Sequence, residues 1–86
     1  MFTVEGQWVF DVVDNQAPSD VLDSFYERIV ALLDGPYPTD DPFTILPFKD
    51  GGDLADAYTA PFYRGLVVYE VSETRMRITL LDVLWI

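Results

Sequence analysis

The chain has 86 residues, half of them apolar and 15% aromatic, enough for one packed domain and too many for a disordered one. Fifteen acidic residues oppose five basic ones, a formal net charge of −10. That field argues against nucleic acid as a ligand, because phosphate binding draws on clustered Lys and Arg. An acidic surface serves solubility first, and a basic protein partner is the sharper reading. Neither cysteine nor histidine is present, which removes disulfides, thiolate chemistry and the imidazole acid, base or metal ligand.

The chain opens on Met-Phe-Thr-Val, with no charged segment leading into an apolar one. Nothing in it approaches the roughly 18 apolar residues of a membrane span. The expectation is a cytoplasmic protein without membrane contact. Phe2 to Glu5 reads as a short first strand. From Gly6 to Asp14 two periods compete: Trp8, Val9, Val12 and Val13 fit a helix, whereas Trp8, Phe10 and Val12 alternate like a strand. The helix is preferred because a second one follows almost at once. In that second helix Leu22, Phe25, Ile29 and Leu32 form one stripe, with Asp20, Asp23 and Glu27 off it. Pro18 suits the first turn, and Gly35-Pro36 stops the helix.

The connection from Pro36 to Asp56 is rich in proline and aspartate. Phe43, Ile45, Leu46 and Phe48 are expected to anchor it to the core, with room for a short extended piece. Ala57 to Phe62 reads as a strand whose Pro61 suggests an edge. Gly65 to Val71 and Arg75 to Ile86 then form an antiparallel hairpin around Ser72-Glu73-Thr74. No Asn-Gly or Asp-Gly marks the turn. A two-residue turn at Glu73-Thr74 would set Ser72 opposite Arg75 and Glu70 opposite Arg77, a favourable charge pair.

Strand alternation then sorts the hairpin into two faces. Val67, Tyr69, Val71, Met76, Ile78, Leu80, Leu84 and Ile86 are expected to pack on the helices. Arg64, Leu66, Val68, Glu70, Arg75, Arg77, Leu81, Val83 and Trp85 take the other face. One helical layer covers one face only, so Leu66, Val68, Leu81, Val83 and Trp85, with Arg75 beside them, form an expected partner-binding strip. The fold class is therefore α+β: a short strand, two helices, and a three-stranded antiparallel meander completing one sheet.

Other chemistry has little support. Asp40-Asp41 and the Asp50-Gly51-Gly52-Asp53 run lack calcium-loop spacing, so no metal is expected. Gly51-Gly52 has no phosphate-loop lysine, and no cofactor is expected. Ser19, Ser24 and Ser72 have no basic partner near in sequence for nucleophilic catalysis.

Three stretches carry a family resemblance: Tyr63-Arg64 leading into Leu66-Val67-Val68-Tyr69-Glu70-Val71, the run Arg77 to Ile86, and Leu32 to Pro38. Together with the element order, these resemble the RelE/ParE toxin family of bacterial toxin–antitoxin modules. The resemblance implies a compact fold inhibited by an antitoxin peptide wrapped around it, and either mRNA cleavage on the ribosome or action on DNA gyrase. It assigns Arg64 and Arg77, with Arg75 behind them, to phosphate and its developing charge. The chain departs from the pattern in its acidity, its lack of histidine and its Trp85-Ile86 ending. The functional expectation is a toxin-like component, weak or inactive in catalysis, that binds an antitoxin-like protein. An unrelated acidic interaction module, joined as a homodimer through Trp85, is one alternative, and an active ribonuclease is another.

Overall fold

The computed structural model describes residues 1–48 and 57–86. Lys49, Asp50, Asp53, Asp56 and the Gly51-Gly52 pair lie outside the described residues. The order is β1 (Thr3–Glu5), α1 (Gln7–Gln16), α2 (Ser19–Asp34), β2 (Leu46–Pro47), β3 (Ala57–Phe62), β4 (Gly65–Ser72) and β5 (Arg77–Trp85). The strands form one sheet, β1-β5-β4-β3-β2, in which β1 runs parallel to β5 and the other pairs are antiparallel. The α+β class stands. Among the described residues the sheet has five strands because β1 joins it and Leu46–Pro47 adds a short edge.

Residues Gly6 to Asp14 resolve as the first turns of α1, which buries Val9 and Val13. The helical period wins because the parallel pairing of β1 with β5 needs a crossover, and α1 and α2 supply it. Gly6 makes the corner at φ 135°, where an added Cβ would lie 2.7 Å from that of Leu80. In α2, Val21, Phe25, Ile29 and Leu32 are buried. Phe25 meets Phe10, Tyr26 and Phe62 edge-on, so both helices and β3 share one aromatic cluster. Of the expected anchors after α2, Ile45 is buried and Phe48 half-buried, while Phe43 is 93% exposed and Leu46 also faces solvent.

The hairpin departs from its expected register. Ser72 pairs with Arg77 rather than Arg75, and Glu70 with Thr79 rather than Arg77. A two-residue turn of the favoured kind needs two residues at positive φ, which non-glycine residues resist. The observed turn spans Glu73 to Met76 and puts only Met76 there, at φ 51°. A two-residue slip leaves each side chain on its expected face. Beyond Leu80 a bulge intervenes: Tyr69 pairs with Leu80, Val68 with Asp82, and Leu81 is the extra residue.

That single insertion inverts the rest of β5. Val83 and Trp85, expected on the open face, join the core, and Leu84 and Ile86, expected in the core, are exposed at 52% and 83%. Met76, also expected inside, sits in the turn and is exposed. In the run Leu80-Leu81-Asp82-Val83-Leu84-Trp85-Ile86 large apolar residues stand at both parities, and Asp82, which shares the parity of Leu84 and Ile86, favours turning that set outward. Burying the indole rather than a leucine removes more apolar area from water.

Tyr69 is fully buried in the middle strand, and its hydroxyl donates to the Pro36 carbonyl at 2.7 Å. Burial raises the phenol above its ordinary range. This bond ties the helix-to-loop corner to the sheet. Tyr69→Phe strands the Pro36 carbonyl and is expected to lower unfolding free energy by about 1–3 kcal/mol in urea denaturation. Gly6→Ala is expected to cost roughly 1–3 kcal/mol, by strain at φ 135° and collision with Leu80.

Candidate partner-binding face

Both helices pack on one side of the sheet, against Val67, Tyr69, Val71, Ile78 and Leu80. Alternation puts Leu66, Val68, Glu70, Asp82 and Leu84 on the opposite side. Leu66 is half-buried there, Leu84 is exposed, and Val68 is shielded in the central strand. Leu46, paired with Thr59, extends the apolar surface to the sheet edge and is 56% exposed. The partner strip expected from sequence is thus re-formed. Leu66 and Val68 stay in it, Leu81 is half-buried at the bulge, and Leu84 takes the place of Val83 and Trp85.

The arginines do not converge. Arg64 lies in the β3–β4 turn beside Gly65, and Arg77 pairs with Ser72 at the other end of β4. Eight residues of strand separate those ends, a span of roughly 20–25 Å. Arg77 is held by Glu5 of β1, with Nη1 3.3 Å from Oε1. Arg75 is exposed in the β4–β5 turn, on Arg77's side. No shared phosphate cradle exists among these three. Hairpin parity puts them on one face but says nothing of their separation along it.

Arg64 is nonetheless unusual. It adopts φ 63°, a left-handed conformation that a non-glycine residue occupies at a cost. Its carbonyl accepts the Ile86 amide at 2.8 Å, and the preceding Tyr63 amide donates to Ser24 Oγ at 2.7 Å. The turn is therefore pinned from both sides, with the Arg64 side chain and Tyr63 left exposed. Among the described residues Arg64 has no ion-pair partner. Arg64 stands out in the sequence by its place at the head of a strand, but its strained backbone leaves no signal in the pattern.

Arg28 carries no such signal in the sequence. Its Nε donates to the Pro61 carbonyl at 2.8 Å and its Nη1 meets Asp41 Oδ2 at 3.3 Å. Thr44 donates its hydroxyl to the same carboxylate. The Thr44 bond first, and Arg28 after it, hold the Asp41 carboxyl below its usual range against an opposing desolvation. Arg28 thus joins α2, β3 and the loop after α2. On the far side of the helices Tyr26 stacks on Phe10 and donates to Asp14 at 2.6 Å. Burial, then that bond and the nearby Asp14 and Asp11 charges, push its phenol up to about 12.

The hollows lie on the helical side. One of about 310 Å³ is lined by Ser24, Glu27, Arg28, Ala31, Pro61 and Phe62. Its Ser24 hydroxyl already accepts the Tyr63 amide, and it contains no base poised on that oxygen. Among the described residues no group of three or more carboxylates is arranged to hold a metal ion. No helix among them is long and apolar enough to cross a membrane.

No family model matches the chain, and no curated protein matches it. Among solved structures, the solution structure of the conserved hypothetical protein HP0892 from Helicobacter pylori superposes with a TM-score of 0.61. The alignment covers 99% of this chain and 94% of HP0892, at 20% identity. The two chains share a fold. The likeness extends over both helices and the whole described sheet rather than over the hairpin alone.

Arg64→Gly relieves the left-handed strain at a smaller entropic cost. It is expected to raise unfolding free energy by roughly 0.5–1 kcal/mol in urea denaturation. An unchanged or lower midpoint would mean that the arginine itself supports the turn. Because its carboxyl pKa is depressed in the folded state, Asp41 contributes stability above its unfolded pKa, and that contribution falls away as pH drops through the folded value. Asp41→Asn is therefore expected to destabilise at neutral pH, with the difference from wild type in urea denaturation shrinking in acid.

Proposed function

We propose that this chain is a toxin-like component of a bacterial toxin–antitoxin module, related to the RelE/ParE toxins and acting by binding a small antitoxin-like protein rather than by cleaving RNA. The observation that carries the non-catalytic part is the separation of Arg64 from Arg77, with Arg77 already neutralised by Glu5. Transition-state stabilisation requires preorganised donors around one reacting group. Guanidiniums at opposite ends of a strand do not share a scissile phosphate.

Two things support the module reading: the sequence resemblance carried by Tyr63 to Val71 and Arg77 to Ile86, and a fold shared along nearly the whole chain with HP0892. The binding surface in this reading is the uncovered sheet face, with Leu66 and Leu84 toward the end that Arg64 closes. Its surroundings are acidic, so the partner contributes an apolar segment flanked by Lys or Arg. A homodimer built on Trp85 loses its anchor, because that indole packs against the core.

Co-expression with the product of the adjacent reading frame tests the proposal. A stable complex is expected, broken by Leu66→Asp or Leu84→Asp while circular dichroism stays that of the wild type. Absence of a complex, or one indifferent to both substitutions, would sink the reading. Induced expression of the chain alone is expected to leave growth and mRNA intact. Growth arrest relieved by Arg64→Ala would instead favour the ribonuclease.

A further inference from the structure

Arg28 stands between two hollows of about 310 Å³ each on the helical side. One of them also carries Asp34, Asp40 and Asp41, the last already paired with Arg28. The other is chemically mixed. Its Ser24, Glu27, Arg28 and Ala31 follow one another at steps of three, one and three along α2, which brings them onto one stripe. Pro61 and Phe62 supply the facing wall, from the part of β3 beyond its pairing with β2 at Tyr58 and Thr59. Among the described residues no strand flanks β3 there, so this hollow lies at an unpaired sheet edge.

Each polar group of the mixed hollow has unused capacity. Arg28 commits two of its five N–H donors, from Nε to the Pro61 carbonyl and from Nη1 to Asp41. The other three have no acceptor among the described residues, and the two bonds hold the guanidinium in place for them. Ser24 Oγ accepts the Tyr63 amide at 2.7 Å, and its own proton has no acceptor among those residues. Glu27 is exposed and makes no ion pair among them. A hydroxyl and a guanidinium one turn apart are thus free to donate, beside a carboxylate free to accept.

We propose that this hollow binds a free α-amino acid with an apolar side chain. The ligand's carboxylate accepts from the unused Arg28 donors and the Ser24 hydroxyl, and its ammonium donates to Glu27. Its side chain rests on Ala31 and the Phe62 ring. A ligand with only one of these charges fits worse. A bare anion meets Glu27 and the field of a protein with net charge −10, and a bare cation meets Arg28 and leaves its donors unfilled. A zwitterion is neutral overall, so the net field does not oppose it, while each of its charged groups faces an opposite one. The volume lies near the lower end for small-molecule sites and suits a ligand of this size. The hollow is on the helical side, away from the outer sheet face, and stands independently of the partner assigned to that face.

The test titrates the intact protein with L-leucine and follows backbone amide shifts by NMR. Saturable shifts are expected at Ser24, Arg28, Ala31, Phe62 and Tyr63, and none at Leu66 or Leu84 on the outer face. Isoamylamine, which lacks the carboxylate, and isocaproate, which lacks the ammonium, are each expected to bind at least about tenfold more weakly. Glu27→Gln changes an exposed side chain and is expected to keep the wild-type circular dichroism. It weakens L-leucine about tenfold without weakening isocaproate. Glu73→Gln removes the same charge from the β4–β5 turn and is expected to leave L-leucine binding unchanged. No saturable shift up to the solubility limit of L-leucine, or shifts centred elsewhere, would overturn the proposal. So would either half-ligand binding as tightly as L-leucine, or Glu27→Gln acting no more strongly than Glu73→Gln.

Discussion

The extra residue at Leu81 is the constraint on which the architecture of β5 depends. With regular pairing, Leu84 and Ile86 would enter the core and the Trp85 indole would stand in water. With one residue inserted, Val83 and Trp85 turn inward and Leu84 turns out. The bulge costs a break in the ladder, and burial of an aromatic side chain in place of a leucine offsets that cost. It also shapes the open surface, because Leu84, which leaves the core at this point, joins Leu66 and Val68 on the outer face. Core composition and outer surface are thus two consequences of one local irregularity.

The same irregularity connects to the first corner of the chain. Leu80, the last residue before the bulge, is where Gly6 approaches β5 most closely, and that approach lets β1 end and α1 begin. Since β1 stops there, no strand among the described residues accompanies β5 on that side from Leu80 onward. Its edge must then be satisfied by other means, and Asp82 supplies one, accepting the Val83 amide on Oδ1 at 2.8 Å. A short first strand, a glycine at positive φ, a bulge and an edge aspartate are therefore linked steps along one side of the sheet.

Much of this architecture was legible in the sequence where one period dominated. The stripe Leu22, Phe25, Ile29 and Leu32 defined α2, and Gly35-Pro36 its end, because no competing pattern overlapped them. The α1 segment carried two periods, and topology rather than local pattern decided between them. From Leu80 to Ile86 the apolar residues occupy both parities, and only Asp82, on the parity expected to face the core, hinted at a change of register there. The turn was misplaced for a related reason. Cross-strand charge pairing of Glu70 with Arg77 is worth about 0.2–1 kcal/mol, less than forcing two non-glycine residues to positive φ at about 1–2 kcal/mol each. Arg77 found Glu5 instead, a partner 72 positions away that no local reading of the hairpin supplies.

The distribution of positive charge bears on function in the same way. Of the arginines in the described residues, Arg28 is engaged by Asp41 and the Pro61 carbonyl, and Arg77 by Glu5. Arg64 and Arg75 remain, in turns at opposite ends of the hairpin. Counterion release rewards several cations acting along one phosphate track, and two isolated ones in a protein of net charge −10 do not form such a track. A single arginine held in a strained turn suits a different task, recognition of one carboxylate or carbonyl group at the rim of an apolar contact. Electrostatics and geometry therefore fit the proposed protein partner at the outer face better than a nucleic acid held across it.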